Sequence, residues 1–287
     1  MKKRVALITW AGLPEGTESE QLLLPHLAAA EVEASIVDWD AACDFARFDL
    51  VILRTCWDYH LRGPEFTEWL RRTALAVPVL NDIEAVLWNR DKFYLRELQT
   101  PEILIAPTVF VCGNGSIQSE EWQQIRSWQK IVVKPAVSAT AYKTWLFNGE
   151  TLPDEDELKS KMQGEPFLVQ QFIPEIETQG EISFIYIDGA YSHAVLKRPA
   201  ADDFRVQKDF GGSAEAFVPS AAQLKQANAI AAAVRYVGDS LYCRIDAVEK
   251  DGELILMEVE LIEPELFLGL AEGAAERFAE AIAGRMR

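Results

Sequence analysis

The stretch LILMEVELIEPELF, residues 254–267, sets Glu258, Glu260, Glu263 and Glu265 into an otherwise oily run. Side chains alternate between the faces of a strand, so Met257, Val259 and Leu261 fall on one face and Glu258 and Glu260 on the other. The preceding run LYCRIDAVEK reads as its hairpin partner, with Ile245 and Ala247 apolar and Arg244 and Asp246 pointing the opposite way. A loop of odd length around Asp251-Gly252-Glu253 sets Asp246 across from Glu258 and Arg244 across from Glu260, whereas a two-residue turn puts Asp246 on the wrong face. With the first pairing, three carboxylates converge beside one arginine. Unpaired carboxylates opposite each other destabilise a sheet. A hard divalent cation such as magnesium removes that penalty, because it takes oxygen ligands from one or two carboxylates together with substrate phosphates. A solvated sheet face with Arg244 as an ion-pair partner accounts for the same residues, so the hairpin alone leaves both readings open. Glu263 and Glu265 flank Pro264 beyond the strand; Glu263 is a candidate to line a pocket, and Glu265 reads as solvated.

Phosphates at such a metal need positive contacts. Lys134 ends the apolar run IVVKP, where Pro135 stops the strand, and Lys92 lies in WNRDKFYL, read as the first part of a helix one turn before Arg96 on the same face. Either lysine taken singly is more often a snorkelling surface residue. The stretch RPAADDFRVQKDFGGS adds Arg198, Arg205 and a Gly211-Gly212 pair suited to close backbone approach to an anion. Other chemistries find little support. His26, His60 and His193 are the only histidines and none is at ligand spacing from another, while His193 falls in a strand pattern and reads as packed and hydrogen-bonded. Cys43, Cys56, Cys112 and Cys243 form no Cys-x-x-Cys pair, which fits reduced thiols and gives no zinc site.

The elements that must position these groups fall into two patterns. VALITW, EQLLLPHLAAAEV, ASIVDWD, DLVILRT, PEFTEWLRRTALA and PVLN alternate strand and helix over residues 1–85, which predicts a small Rossmann-like α/β domain with helices on both faces of a parallel sheet. It lacks Gly-x-Gly-x-x-Gly after the first strand, where TWAGLPEG stands, so dinucleotide binding there is not expected and Gly12 and Gly16 read as turn glycines. From residue 86 the pattern becomes α+β. A helix through EAVLWNRDKFYLRELQ leads to strands at PTVFV and KIVVKP, a polar linker with a helix in it, and strands at FLVQQFI, EISFIYI and AYSHAVLK, the last two joined by Asp188-Gly189. An alanine-rich helix, the acidic hairpin and a closing helix follow. With 287 residues, 49% of them hydrophobic, the chain can bury a substantial core, and its net charge of −17 argues against nucleic acid or an anionic membrane as partner. The short apolar run in MKKRVALITWAG and the lack of a membrane-length segment make a cytosolic protein the simplest reading.

In this order the segments resemble the ATP-grasp superfamily, especially its glutathione-synthetase-like and ribosomal-protein glutamate ligase branches, from residue 86 to the end. The resemblance implies an ATP-grasp domain over 86–287, with a lid subdomain over about 106–170 and a C-terminal antiparallel-sheet subdomain over 171–287, behind a pre-ATP-grasp domain at 1–85. IVVKP and WNRDKFYL are similar to the elements that supply phosphate lysines, implying Lys134 and Lys92. FLVQQFIPEI resembles the hinge whose backbone, here Gln171, Phe172 and Ile173, reads the adenine edge, with Glu181 of QGEIS on the ribose. RIDAV and LMEVE resemble the metal strands, implying Asp246, Glu258 and Glu260 as ligands of one or two magnesium ions. The same likeness implies Lys197 and Ser138 at the nucleotide, and Arg198, Arg205 and Arg244 with Gly211-Gly212 at the transferring phosphate. SIVDWD, VILRTCWDY, WN-x-DK-x-YL and VVKPAVSA resemble a narrower group that includes the ligase closing O-ureido-D-serine to D-cycloserine. By that likeness Arg54, Trp57 and Asp58, with Glu263, face the acceptor.

Two features depart from the family pattern. Many relatives carry asparagine where this chain has Glu260, and the lid loop VSATAYKTW has no glycine, so the hydroxyls of Ser138 and Thr140 stand in for glycine contacts. What the resemblance implies is ADP-forming ligation of a small amino-acid-like carboxylate to a nitrogen nucleophile through an acyl phosphate, with ATP and magnesium. An ATP-grasp kinase, an acid-thiol ligase and a non-catalytic nucleotide-binding protein stay open beside it, as does a homo-oligomer.

Overall fold

The computed structural model of the protein describes residues 2–113, 115–148, 151–200, 205–206 and 210–286. Its first part is β1 (Lys3–Thr9), α1 (Glu18–Ala29), β2 (Val32–Asp38), β3 (Leu50–Leu53), α2 (Gly63–Ala76) and β4 (Val79–Leu80), forming a parallel sheet in the order β2-β1-β3-β4. The run VALI is apolar throughout because both its faces are covered. Val5 and Leu7 pack with Leu23 and Leu27 of α1, and Ala6 and Ile8 pack with Phe66, Trp69 and Leu70 of α2. Thr17 and Glu20 form a capping box at the start of α1, with the Thr17 N–H donating to Glu20 Oε2 at 2.8 Å. The helix end that would face a dinucleotide's pyrophosphate is thus closed by its own side chains.

The helix read through EAVLWNRDKFYLRELQ is instead two short ones, α3 (Ile83–Asn89) and α4 (Tyr94–Leu98). The interruption has a local cause. The Lys92 N–H donates to the Ala136 carbonyl at 2.8 Å, and the Asp91 carboxylate accepts the Phe93 N–H at 2.9 Å to start the second helix. Arg96 is not beside Lys92; its guanidinium lies over the Phe93 and Phe110 rings. After β5 (Leu104–Ile105) come β6 (Thr108–Val111), α5 (Ser119–Ser127), β7 (Lys130–Pro135), β8 (Trp145–Asn148), α6 (Glu155–Met162) and β9 (Phe167–Gln171). These strands make an antiparallel sheet in the order β6-β9-β7-β8, its core built from Val109, Ile125, Val133, Leu158 and Phe167.

The third sheet carries the acidic strand. Its elements are α7 (Glu175–Thr178), β10 (Glu181–Ile187), β11 (Ala190–Arg198), β12 (Ser213–Phe217), α8 (Ala221–Arg235), β13 (Tyr242–Lys250), β14 (Glu253–Glu260) and the closing α9 (Ala274–Arg285), with sheet order β12-β11-β10-β13-β14-β5. One face packs on α8 through Phe184, Ile245, Leu256, Ala227 and Ile230. Asp188 and Gly189 turn the β10–β11 hairpin with φ of 50° and 74°, and Asp251 and Gly252 turn β13–β14 with φ of 54° and 85°. Both pairs supply the left-handed backbone that two-residue hairpin turns require. Among the described residues no helix is long and apolar enough to cross a membrane.

The β13–β14 turn therefore has two residues, not the odd number anticipated, yet Asp246 pairs with Glu258 and Arg244 with Glu260. A β-bulge reconciles the two. The register steps from Ala247↔Leu256 to Asp246↔Glu258, leaving Met257 as the extra residue on β14. Met257 consequently does not share the face of Val259 and Leu261. It packs beside Ile255 and Val248 on the acidic side, while Leu254, Leu256, Val259 and Leu261 enter the core. Because Met257 is the extra residue of the bulge, deleting it should leave Leu256, Glu258, Val259 and Glu260 in ordinary alternation, with Glu258 still across from Asp246 and Glu260 across from Arg244. Losing only the Met257 side chain from the seam should cost about 2 kcal/mol. Thermal unfolding of the deletion variant checks this: a cooperative melt a few degrees below that of the parent protein is expected, and a variant that does not fold refutes it.

Candidate active site

The sheet face opposite α8 gathers Glu181 and Ser183 from β10, Lys197 from β11, Arg244 and Asp246 from β13, and Glu258 and Glu260 from β14. Registers Glu181↔Lys197, Ser183↔Asp246 and Asp246↔Glu258 bring them side by side. Asp246 is the hub. Its Oδ1 accepts the Ser183 hydroxyl at 2.6 Å and Arg244 Nε at 3.1 Å, and its Oδ2 meets Arg244 Nη2 at 2.9 Å and Lys197 Nζ at 3.1 Å. Lys197 reaches Glu181 at 2.5 Å, and Arg244 Nη2 also pairs with Glu260. Burial works to raise the Asp246 carboxyl, but Arg244 and Lys197 overcome it and hold Asp246 well below the usual carboxylate range. Burial likewise lowers Lys197, and Asp246 with Glu181 reverses that.

A second cationic group closes over this face from outside the sheet. Lys92, in the break between α3 and α4, places its Nζ 2.9 Å from Glu258 Oε1 and 2.6 Å from the Ser138 carbonyl. Lys134, at the end of β7, is lowered by burial and further by Lys92, with Glu258 opposing. Burial raises Glu258, yet Lys92 and Lys134 hold it below its ordinary value. The anticipated metal trio shares one face but is not gathered as a cage: among the described residues no three His, Cys, Asp or Glu side chains stand ready to hold a metal. Arg244 is wedged between Asp246 and Glu260, and Lys92 sits on Glu258. As a donor set the residues fit a hard cation, since all three offer carboxylate oxygens. Glu258 and Glu260 keep 31% and 22% of their side chains exposed, whereas Asp246 at 5% has both oxygens taken.

Between the second and third sheets lies an apolar seam of Val132, Phe172, Ile173, Val206 and Val248, edged by Leu146, Ile255 and Met257. The Gln171 N–H donates to Pro107 at 2.8 Å and the Phe172 N–H to Lys130 at 3.0 Å. Of the hinge segment only the Ile173 N–H is not used in a hydrogen bond among the described residues. Val206 in this seam is unmarked in the sequence except as one apolar residue in a polar loop. Of that loop, residues 201–204 and 207–209 lie outside the described residues; Arg205 stacks with its guanidinium 3.5 Å from the Phe210 ring centre, and Gly211 has a φ of 80°, just before Gly212. Arg198 is not brought to the acids. It follows Lys197 on β11, so alternation turns it to the opposite face, where it pairs with Glu215.

The lid loop reaches the first sheet. Thr140, Ala141 and Lys143 adopt φ of 50°, 55° and 49° without glycine, each at a cost of about 1 kcal/mol. Ala139 is buried with Cys56, Tyr59 and Ile262, and the Tyr142 ring lies 5.1 Å from that of His60. Ser138 is buried and contributes its carbonyl to Lys92. Arg54, anticipated in the acceptor pocket, is only 1% exposed and is ion-paired to Glu20 at 2.9 Å, while its buried Nη1 has no hydrogen-bond partner among the described residues. Trp57 Nε1 donates to the Glu263 carbonyl at 3.1 Å, and Asp58 accepts from Trp39 Nε1 at 2.8 Å. Glu263 is pushed well above its ordinary value by burial and by Glu260, against Lys92. Glu265 is half-buried rather than freely solvated; it accepts the Ser19 hydroxyl and the Phe267 N–H. Ser183 and Glu20 are the residues with no motif to mark them, although Ser183 shares strand parity with Glu181.

Comparison with known proteins gives a consistent result. Residues 96–270 match the model of the prokaryotic glutathione synthetase ATP-grasp domain, and residues 5–81 match that of the N-terminal domain of D-cycloserine synthetase DcsG. The chain is 26% identical over 289 residues to the cycloserine biosynthesis protein DcsG of Streptomyces lavendulae, covering 92% of this chain and 93% of that protein. The crystal structure of D-cycloserine synthetase DcsG superposes with a TM-score of 0.88 at 25% identity, over 99% of this chain and 100% of the other. D-alanine–D-alanine ligase from Bacillus anthracis shares the fold, with a TM-score of 0.70 at 18% identity over 99% and 97% of the two chains.

Burial raises the Glu260 carboxyl to about 7, with Arg244 opposing and Asp246 and Glu258 adding to the rise. A carboxyl whose folded value lies above its unfolded one favours the fold at low pH, and that contribution is lost as pH rises from about 4.5 through about 7. Glu260→Gln should therefore melt higher than the parent protein at pH 8 without metal or nucleotide, and the gap should close at pH 5. Thermal unfolding at the two pH values checks this; a variant that melts lower at pH 8 contradicts it.

Proposed function

This chain belongs to the prokaryotic glutathione synthetase ATP-grasp family, and from that premise we propose that it is an ADP-forming carboxylate–amine ligase acting on a small amino-acid-like carboxylate. One observation carries the reading: carboxylates of β13 and β14 and the lysines at 92, 134 and 197 meet on one sheet face beside an apolar seam between two sheets. In this reading residues 1–85 are the pre-ATP-grasp domain, 106–170 the lid and 171–287 the C-terminal subdomain. The seam takes the adenine, with the Ile173 N–H at its edge and Glu181 at the ribose. Lys92 and Lys134 exchange their hold on Glu258 for the nucleotide's phosphates, and Arg205 with Gly211-Gly212 approaches from the loop after β11.

Glu258 and Glu260 would hold magnesium, with Asp246 behind them keeping Arg244 and Lys197 in place. When bound there, the metal would neutralise phosphate charge. The substrate carboxylate oxygen attacks the γ-phosphorus and breaks its bond to the β-phosphate oxygen, giving ADP and an acyl phosphate. A nitrogen then attacks the carbonyl carbon, the carbon–oxygen bond to phosphate breaks, and the nitrogen loses its proton. In this reading Arg244 stabilises charge on the transferring group. Glu263, a carboxylate crowded by other carboxylates, suits the ammonium of an amino-acid substrate. Similarity to the cycloserine biosynthesis protein supports a substrate in which the nitrogen is part of the same small molecule, so that ligation closes a ring. A cytosolic setting accords with the free cysteines Cys43, Cys56, Cys112 and Cys243.

ADP release measured with ATP, magnesium and a panel of amino acids, including O-substituted serines, tests the reading. Turnover with one of them and its loss in Asp246→Asn are expected. No ADP with any carboxylate, despite ATP binding, refutes ligation, and a phosphorylated product that persists without nitrogen transfer indicates a kinase.

A further inference from the structure

We propose that Glu20 and Arg54 are positioning residues whose buried ion pair sets the segment Glu263-Pro264-Glu265 and thereby the acceptor side of the site. The proposal rests on the acceptor reading given above. Three successive carbonyls of that segment are each taken by a side chain from a separate place in the chain. Trp57 Nε1 donates to Glu263 at 3.1 Å, Arg54 Nη2 to Pro264 at 3.2 Å, and Arg244 Nη1 to Glu265 at 3.1 Å. Pro264 has no N–H to give a ladder, and β14 ends at Glu260, so the segment is fixed by these donors instead.

Arg54 and Glu20 are each 1% exposed and so act only through what they hold. The Arg54 guanidinium packs 5.1 Å from the Tyr242 ring centre and 5.6 Å from that of Phe278, and its Nε donates to Glu20 at 2.9 Å. Glu20 is itself fixed, because its other oxygen caps α1 through the Thr17 N–H and hydroxyl. The preceding residue in α1's first turn adds to the same support: the Ser19 hydroxyl donates to Glu265 and accepts the Leu268 N–H at 3.2 Å. A buried ion pair often contributes no more stability than apolar residues of the same volume. What this pair provides that apolar residues cannot is an N–H aimed at the Pro264 carbonyl. Through it the start of α1, in the first sheet's layer, is tied to the backbone that carries Glu263 toward Glu260 and Lys92.

Arg54→Lys keeps a cation for Glu20 but lacks the fork that reaches both partners. Displacing a substrate-positioning group by about 1 Å can cost on the order of a hundredfold in rate. The variant should raise KM for the amino-acid substrate by about tenfold or more while KM for ATP stays within about twofold. Its Phe267 and Leu268 amides should exchange hydrogen faster. Glu20→Gln, which keeps an acceptor for Arg54, should fall between variant and parent and carries the test if Arg54→Lys does not fold. Equal rises in both KM values overturn the proposal, as does an unchanged amino-acid KM alongside faster exchange. If the parent protein turns over no amino acid, the ligase reading fails by itself, and the exchange measurement still decides whether the ion pair holds the segment: unchanged protection at Phe267 and Leu268 sinks it.

Discussion

Carboxylates can crowd one face of a sheet only if each is matched, and here every match comes from a different part of the chain. Arg244, two residues from Asp246 on the same strand, bridges it to Glu260; Lys197 comes from β11 and Lys92 from the break between α3 and α4. Removing a cation such as Lys197 from beside the buried Asp246 typically costs about 3–5 kcal/mol, because the carboxylate is left stranded. The face is therefore a constraint on the whole fold. The β10–β11 and β13–β14 hairpins, the interruption before α4 and the end of β7 must all be in place for it to be neutral. The same partners are those a polyphosphate with its metal would displace, so the charge balance that holds the protein together is also arranged for exchange with a ligand.

The hairpin shows how local and long-range effects combine. Asp-Gly fixes a two-residue turn, and that turn by itself would put Asp246 and Glu258 on opposite faces. The bulge at Met257 restores the pairing and also turns Met257 into the apolar seam. No residue type announces this bulge, since Met257 suits a strand of either register. The alternation of acids and apolar residues marked the functional face, while the means of keeping it depended on packing against α8 on one side and the seam on the other.

Much else was legible for physical reasons. Continuous apolar runs alternating with helices gave the parallel sheet, and Asp188-Gly189 gave the β10–β11 turn. His193 is packed, with Nε2 against the Leu266 carbonyl at 2.8 Å. Elsewhere tertiary contacts overrode local pattern. The helix pattern was read straight through WNRDKFYL, but the chain leaves the helix after Asn89, and the Lys92 N–H is held instead by Ala136, forty-odd residues away in the lid loop. Arg54 was expected at the acceptor from the family likeness alone; its partner Glu20 lies on another element, and only the fold brings the two together. Strand parity was enough to turn Arg198 away once Lys197 was known to face the acids.

The account stands or falls on whether this acidic face receives the cation of a nucleotide. Crystals grown with ADP and Mn2+ in place of Mg2+, with the metal located by anomalous scattering, test it most directly. The prediction is a metal in contact with carboxylate oxygens of Glu258 and Glu260, with Lys92 moved from Glu258 to a phosphate oxygen. A nucleotide bound with its metal away from this face, and with the Lys92–Glu258 pair intact, would contradict it.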